Sequence, residues 1–305
     1  MKNLSEDFAK ILLLFSILFL NRSSLYATEL RTILEKTLAV KPGESLYVKG
    51  SGADVQIKTW TKEEAYVKIL GDRRAKEKME FYVERKSDGL NVIVKRKGSN
   101  WFNWFSGGIS LRIEVTIPNK FNADINTSGG DIELAFLKGV IRLFTSGGDV
   151  SVANAKGPLE IKTFGGDIDI YNQTGSSEVG ASGGDIKIAG LRGNLFARTS
   201  GGDIHVNAID GKIDVSTSGG DIFLDYSGSS YGIETSTSGG DIDLRLPADF
   251  KADAELNSTG GDVNVDFDNA KIFKVTRTKF EAELNGGGER LYCRTSGGEI
   301  SLRQK

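Results

Sequence analysis

One turn keeps returning along this chain, and it limits the fold more than any other feature. Gly-Gly-Asp ends at Asp131, Asp149, Asp167, Asp185, Asp203, Asp221, Asp241 and Asp262, and Gly-Gly-Glu ends at Glu299. The first six acids lie 18 residues apart at every step, and the later steps are 20, 21 and 37. A fixed period of this length marks a repeat architecture, in which a single unit cannot bury its own apolar face. After each acid, branched residues alternate: Ile132/Leu134, Val150/Val152, Ile168/Ile170, Ile186/Ile188, Ile204/Val206, Ile222/Leu224, Ile242/Leu244, Val263/Val265 and Ile300/Leu302. Between them stand residues of any kind, such as Glu133, Ser151, Asp169, Lys187, His205 and Phe223. Period-two alternation describes a strand with one buried face.

Half a period later comes a second glycine turn, at Gly139, Gly157, Gly175, Gly193 and Gly211. A second alternating strand follows it: Ile141/Leu143, Leu159/Ile161, Leu195/Ala197 and Ile213/Val215. Each unit therefore reads strand, turn, strand, turn. The pattern predicts an all-β parallel β-solenoid, β-helix or β-roll-like, with about 18 residues per coil and about 4.8 Å between coils. With 38 glycines and only 4 prolines, the composition suits many tight turns rather than disorder.

Residues 28–120 are also β-like but irregular. The segment "GSGADVQIKTW" (50–60) is an imperfect copy of the repeat, and further strands are expected near 65–70, 79–85, 90–96 and 109–117. A solenoid needs its ends covered, because bare strand edges invite aggregation. Residues 28–120 are thus expected to be an N-terminal β cap with the first irregular coils, and residues 121–305 the repetitive solenoid. Two lead-in segments echo each other, "IPNKFNADINTSGGDI" and "LPADFKADAELNSTGGDV". The last coil, ending "SLRQK", is expected to be a bare end open to end-to-end self-association.

The N-terminus has a different character. Lys2 and Lys10 precede the apolar run Ile11 to Leu20, and a polar stretch ends in "SLYA" at Ala27. This reads as a signal peptide over residues 1–27, cleaved between Ala27 and Thr28, which would deliver the chain to the periplasm or cell surface. The run is about half of the ~20 residues a membrane-spanning helix needs. The single cysteine, Cys293, cannot form a disulfide within the chain and reads as a plain strand residue. Residues 1–120 carry 21 Lys/Arg against 14 Asp/Glu, and residues 121–305 carry 18 against 27. The acidic repeat half argues against nucleic acid as a partner.

The acids need an account. Stacked coils would bring Asp131, Asp149, Asp167, Asp185, Asp203, Asp221, Asp241 and Asp262 into one ladder, where neighbouring charges ~4.8 Å apart repel by roughly 0.9 kcal/mol in water. Three offsets exist: backbone N–H donors from the turn, screening by salt, or weakly bound cations. Calcium takes six to eight oxygens, and only one turn in two carries an acid, so the structural corner is the expected role. His205, the only histidine, has no partner set apart by spacing and is expected to be a surface residue. Acids repeated in every coil look like architecture rather than an active site, so neither catalytic residues nor a cofactor are expected; a polysaccharide-active enzyme is the distant alternative. Phe144, Phe164, Tyr171, Phe196 and Phe223 fall at or near outward positions, fit for stacking on a glycan or docking a protein. The stretch "KRKGSNWFNWFSGG" sets Trp101, Phe102, Trp104 and Phe105 beside Lys95, Arg96 and Lys97. It is read either as a plug over the solenoid end or as a contact loop for a protein, glycan or envelope surface.

Together, "VKGSGADVQIKTW", the lead-in "IPNKFNADINTSGGDI" and the "TSGGDI" coils resemble a bacterial adhesin-like family long described as a domain of unknown function. The likeness spans roughly residues 40–303. It implies a single-stranded β-solenoid in the bacterial envelope, adhesion by analogy with other solenoid surface proteins, and for some relatives a link to envelope stress. It implies no catalytic residues.

Overall fold

A computed structural model describes residues 30–98 and 108–305. The chain winds into two long sheets, one of 13 strands and one of 14, packed face to face. In the central coils each turn of the chain contributes one parallel strand to each sheet. Ile141–Thr145 lies in the 14-stranded sheet, the chain rounds the Gly-Gly corner, and Val150–Lys156 lies in the 13-stranded sheet. The 18-residue period becomes register: Val150 pairs with Ile132 on one side and Ile168 on the other, and Ile141 pairs with Ala123 and Leu159.

Like positions therefore stack into inward columns. Ile132, Val150, Ile168, Ile186, Ile204, Ile222, Ile242 and Ile300 form one, all buried. Ile141, Leu159, Leu195, Ile213, Ile233 and Leu291 form another in the facing sheet. Each such side chain stabilises the fold by roughly 1.5–3 kcal/mol on burial. One apolar core runs without a break from Val40 to Leu302. Cys293 lies in it as an inward strand residue, and burial pushes its thiol up to about 12.

The four cap strands expected from sequence are present as Glu64–Gly71, Met79–Lys86, Gly89–Arg96 and Leu111–Pro118. A short helix, Arg73–Lys78, was not anticipated; the Asp72 carboxylate caps it by accepting the Ala75 N–H at 2.7 Å. The imperfect repeat at 50–60 stacks directly on the first regular coil, with Val55 beside Ile132. Outside it lies a further coil built from Gly89–Arg96 and Leu111–Pro118. Antiparallel strands then finish this end, Arg31–Ala39 on one sheet and Met79–Lys86 on the other. Lys36, on the outermost strand, donates to the Val83 carbonyl at 2.8 Å and so ties the two sheets together across the end.

The other end differs from the sequence expectation. The last coil is not bare: Ile300–Gln304 lies between Ile242–Leu246 and Val263–Asp266. Likewise Arg290–Thr295 lies between Ile233–Ser236 and Ala252–Ser258. After Leu246 the chain skips one rung, builds the outer coil 252–266, adds the antiparallel pair Ala270–Val275 and Lys279–Leu284, then returns to fill the gap. The physical reason is that all coil strands share one inward pattern, so a later strand fits an inner rung as well as an outer one. The two lead-in segments are structural counterparts, with Phe121 and Phe250 both buried just before their strands.

Candidate functional site: the repeated corner and the outward faces

Each residue of the Thr-Ser-Gly-Gly-Asp turn has a distinct part. The threonine hydroxyl points inward and donates to the second glycine carbonyl of the preceding coil: Thr145 to Gly130 at 2.9 Å, Thr217 to Gly202 at 2.9 Å, Thr295 to Gly240 at 2.8 Å. The same oxygen accepts the second glycine N–H of its own turn, as Thr145 does from Gly148 at 3.3 Å. A Cβ on that second glycine would sit 2.0–2.2 Å from the carbonyl oxygen below at Gly166 and Gly202. Only glycine lets coils stack this closely.

The acid has an equally local task. One carboxylate oxygen of each Asp accepts the backbone N–H of the acid one coil further on: Asp131 from Asp149 at 2.9 Å, Asp167 from Asp185 at 2.8 Å, Asp221 from Asp241 at 2.8 Å. The order follows space rather than sequence at the end, where Glu299 donates to Asp241 at 2.7 Å. Asp262 is bound differently, by Arg277 at 2.6 Å. At the other end Asp54 accepts from Asp131 at 3.3 Å, and burial raises its carboxyl above the usual range. Among the described residues no group of three or more His, Cys, Asp or Glu could hold a metal ion. The carboxylate–backbone bonds make the ladder a hydrogen-bonded corner, the first of the three offsets considered for its charge.

The outward faces carry rings paired with cations. Phe144 has the Lys162 ammonium 5.9 Å from its ring, Phe196 the Arg198 guanidinium at 4.2 Å, and Tyr292 that of Arg290 at 4.0 Å. Phe223 stands between Arg245, at 4.9 Å, and His205, whose ring is 6.0 Å away. His205 therefore packs on a face. Phe164 stands out at a corner, 70% exposed. A shallow groove of about 480 Å³ crosses the 14-stranded sheet over five coils, with Arg142, Glu160, Glu178, Phe196, Lys212 and Asp214 on its walls. Its charges are cross-linked, Arg142 to Glu160 and Lys162 to both Glu160 and Glu178. An aromatic floor with carboxylates and cations beside it can stack on a sugar ring and hydrogen-bond its hydroxyls. The sequence flagged Phe196 as outward but gave no hint of the groove, which forms from five turns brought side by side.

The contact-loop residues Trp101, Phe102, Trp104 and Phe105, and the cleavage position Ala27/Thr28, lie outside the described residues. The strands that flank them in sequence, Gly89–Arg96 and Leu111–Pro118, form the last parallel coil of the N-terminal end.

The fold and its repeated corner define a two-sheet parallel β-solenoid. By sequence, residues 44–303 match the Toastrack DUF4097 family, and the chain belongs to it. No curated protein matches the chain. Among solved structures, it is similar to a Bacteroides fragilis protein described as a candidate adhesin (14% identity, 90% of this chain and 98% of that one, TM-score 0.42). A candidate adhesin from Parabacteroides distasonis is 12% identical over 90% of this chain and 98% of its own, with a TM-score of 0.37. A second protein from that species, described as a candidate lipid-binding protein, is 14% identical over 88% and 96%, with a TM-score of 0.41.

Proposed function

We propose that this chain is an exported, non-enzymatic binding and structural protein of the bacterial cell envelope, adhesin-like in using its sheet faces as the contact surface. The observation that carries this reading is the division of labour in the coil. The repeated acids are engaged by the backbone, while ring–cation pairs and the groove over Phe196 occupy the outward face. The leader-like residues 1–27 support export. The expected ligand class is glycan, held by stacking on Phe196 and by sugar hydroxyls that donate to the Glu178 and Asp214 carboxylates.

Two measurements test the two halves of the reading. A glycan array probed with the protein and with Phe196→Ala tests binding. The ring is outward, so the substitution should remove glycan binding and leave the melting temperature within about 2 °C. Binding that survives it removes the groove from consideration. Protease shaving of intact cells, with a periplasmic control, tests location. Cleavage with the control spared supports a surface rod; protection of both until permeabilisation makes this a periplasmic structural or stress-response component instead.

A further inference from the structure

The two ends of the rod are built differently, and the difference points to a partner. At the N-terminal end the outermost strand Arg31–Ala39 turns Lys36 toward the core side, a charge that discourages another strand from adding there. At the other end, among the described residues, the edge strand Ala270–Val275 turns no charge inward: its Lys271 and Lys274 lie on the outward side, opposite Glu283 and Glu281. The 14-stranded sheet runs two strands past the 13-stranded one, because Lys279–Leu284 and Ala270–Val275 have no counterparts beyond Val263–Asp266. The rod therefore ends in a step. Its tread is the edge of Val263–Asp266, with Val263, Val265 and Phe267 only half-buried. Its riser is the overhang, where Ile272 and Val275 sit opposite the inward residues Ala282 and Phe280 yet are 53% and 65% exposed. Phe273, beside them, is 59% exposed. No other stretch of the described residues gathers three exposed large hydrophobics so closely.

We infer that this end docks onto the same end of a second copy, through a two-fold axis parallel to the strands. Two two-fold arrangements can join such ends. With the axis normal to the sheets, like edge meets like. The overhangs then collide, acids face acids and lysines face lysines. With the axis along the strands, the overhang of each copy enters the notch of the other. The Ala270–Val275 strand runs parallel to its sheet's coil strands, being antiparallel to Lys279–Leu284, which is antiparallel to Ala252–Ser258. Coil strands of the two sheets run in opposite directions, so Ala270–Val275 of one copy meets Val263–Asp266 of its mate antiparallel. Each sheet of one rod then continues into the other sheet of its mate with no rung missing. The arrangement is isologous, as closed dimers are. The Val263 N–H already donates to the Arg277 carbonyl at 2.8 Å, so the new pairing begins at Val265.

Charge agrees with shape. The tread strand exposes Asp266 outward, and the overhang exposes Lys274 outward, opposite Glu281 in its own sheet. Neither makes an ion pair among the described residues. Across the proposed contact they face each other twice, and the half-buried valines and Phe267 meet Ile272 and Val275.

Sedimentation of the full chain tests this. The expected mass is twice 33.0 kDa, with a dissociation constant of about 1 µM or tighter, as an interface of ordinary size gives. Asp266→Lys and Lys274→Asp each place like charges together and should weaken the dimer at least tenfold; the double exchange should restore it to within about threefold. Both positions are exposed, so the single variants fold. Association through residues 1–29, or through another surface, would not respond to either position. A chain that remains monomeric, a dimer indifferent to the single exchanges, or a loss the double exchange does not reverse each overturns the proposal. The first of these leaves the step as a surface for a different protein. The outcome is independent of glycan binding, which concerns a face far from the end.

Discussion

Within each corner the two glycines look alike in sequence and are unlike in space. A Cβ at Gly202 would lie 2.2 Å from the Gly184 carbonyl oxygen, whereas at Gly201 the nearest atom is 3.4 Å away. Gly202→Ala should therefore cost about 3 kcal/mol or more, and Gly201→Ala under about 1 kcal/mol, by urea unfolding. The threonine was legible in "TSGGD" but its role was not, since only stacking brings its hydroxyl to the carbonyl of another coil. One coil breaks the rule: "ASGGD" puts Ala181 where its neighbours have Thr163 and Thr199. Those two donate to Gly148 and Gly184 at 3.1 and 2.9 Å, so Gly166 receives no such hydroxyl. Ala181→Thr should add one hydrogen bond, worth about 1 kcal/mol or roughly 2 °C in melting temperature. The second corner shows the opposite kind of exception. Phe136, Asn154, Asn172 and Gly190 occupy equivalent sites, all at positive φ. Asparagine and glycine tolerate that region, and a bulky aromatic does not. Phe136 holds φ at 61° and is 54% exposed. Phe136→Asn should raise stability by about 0.5–1 kcal/mol, and a binding assay shows whether the strain is kept for contact.

At the scale of the coil, the strands could be read directly from the sequence and the acid ladder only in part. Alternation of Ile, Leu and Val fixes which face is inward, because a slip of one residue would expose the whole set. The ladder's repulsion was equally visible, but not its remedy: an N–H belonging to the next coil cannot be seen in one unit. That remedy has a consequence. Each carboxylate spends one oxygen on a backbone donor, so a bound calcium would find few of the six to eight oxygens it takes. Calcium at 1 mM should move the melting temperature of chelator-treated protein by no more than about 2 °C, whereas a rise above 10 °C would signal several kcal/mol of linked binding. Asp167→Asn keeps an acceptor for the Asp185 N–H and removes two like-charge neighbours, so its stability should equal or exceed that of the parent. Asp167→Ala removes the acceptor and should cost about 1 kcal/mol. Equal losses for both substitutions would mean that the charge itself, and hence a cation, matters at this corner.

For the whole rod, chain order and stacking order part company at the ends. Every coil strand offers the same inward pattern, so sequence alone does not say which rung a late strand fills; the widened steps of 20, 21 and 37 residues were the only sign of rearrangement. The returning strand Ile300–Gln304 makes the C-terminus a keystone rather than a tip. Ile300 and Leu302 are fully buried between Ile242–Leu246 and Val263–Asp266. Removing residues 300–305 deletes two such side chains, worth roughly 1.5–3 kcal/mol each, and opens an internal rung. Hydrogen exchange is the informative measurement, because a solenoid's coils depend chiefly on their nearest neighbours. Protection should vanish over 242–246 and 252–299 while the central strands from Ile132 to Val206 keep theirs. Removing residues 1–39 instead takes away an edge strand whose residues are largely exposed, and should leave both regions protected. If the short C-terminal deletion raised exchange evenly along the rod, the coils would be one cooperative unit, locked from the end by the last strand to be made.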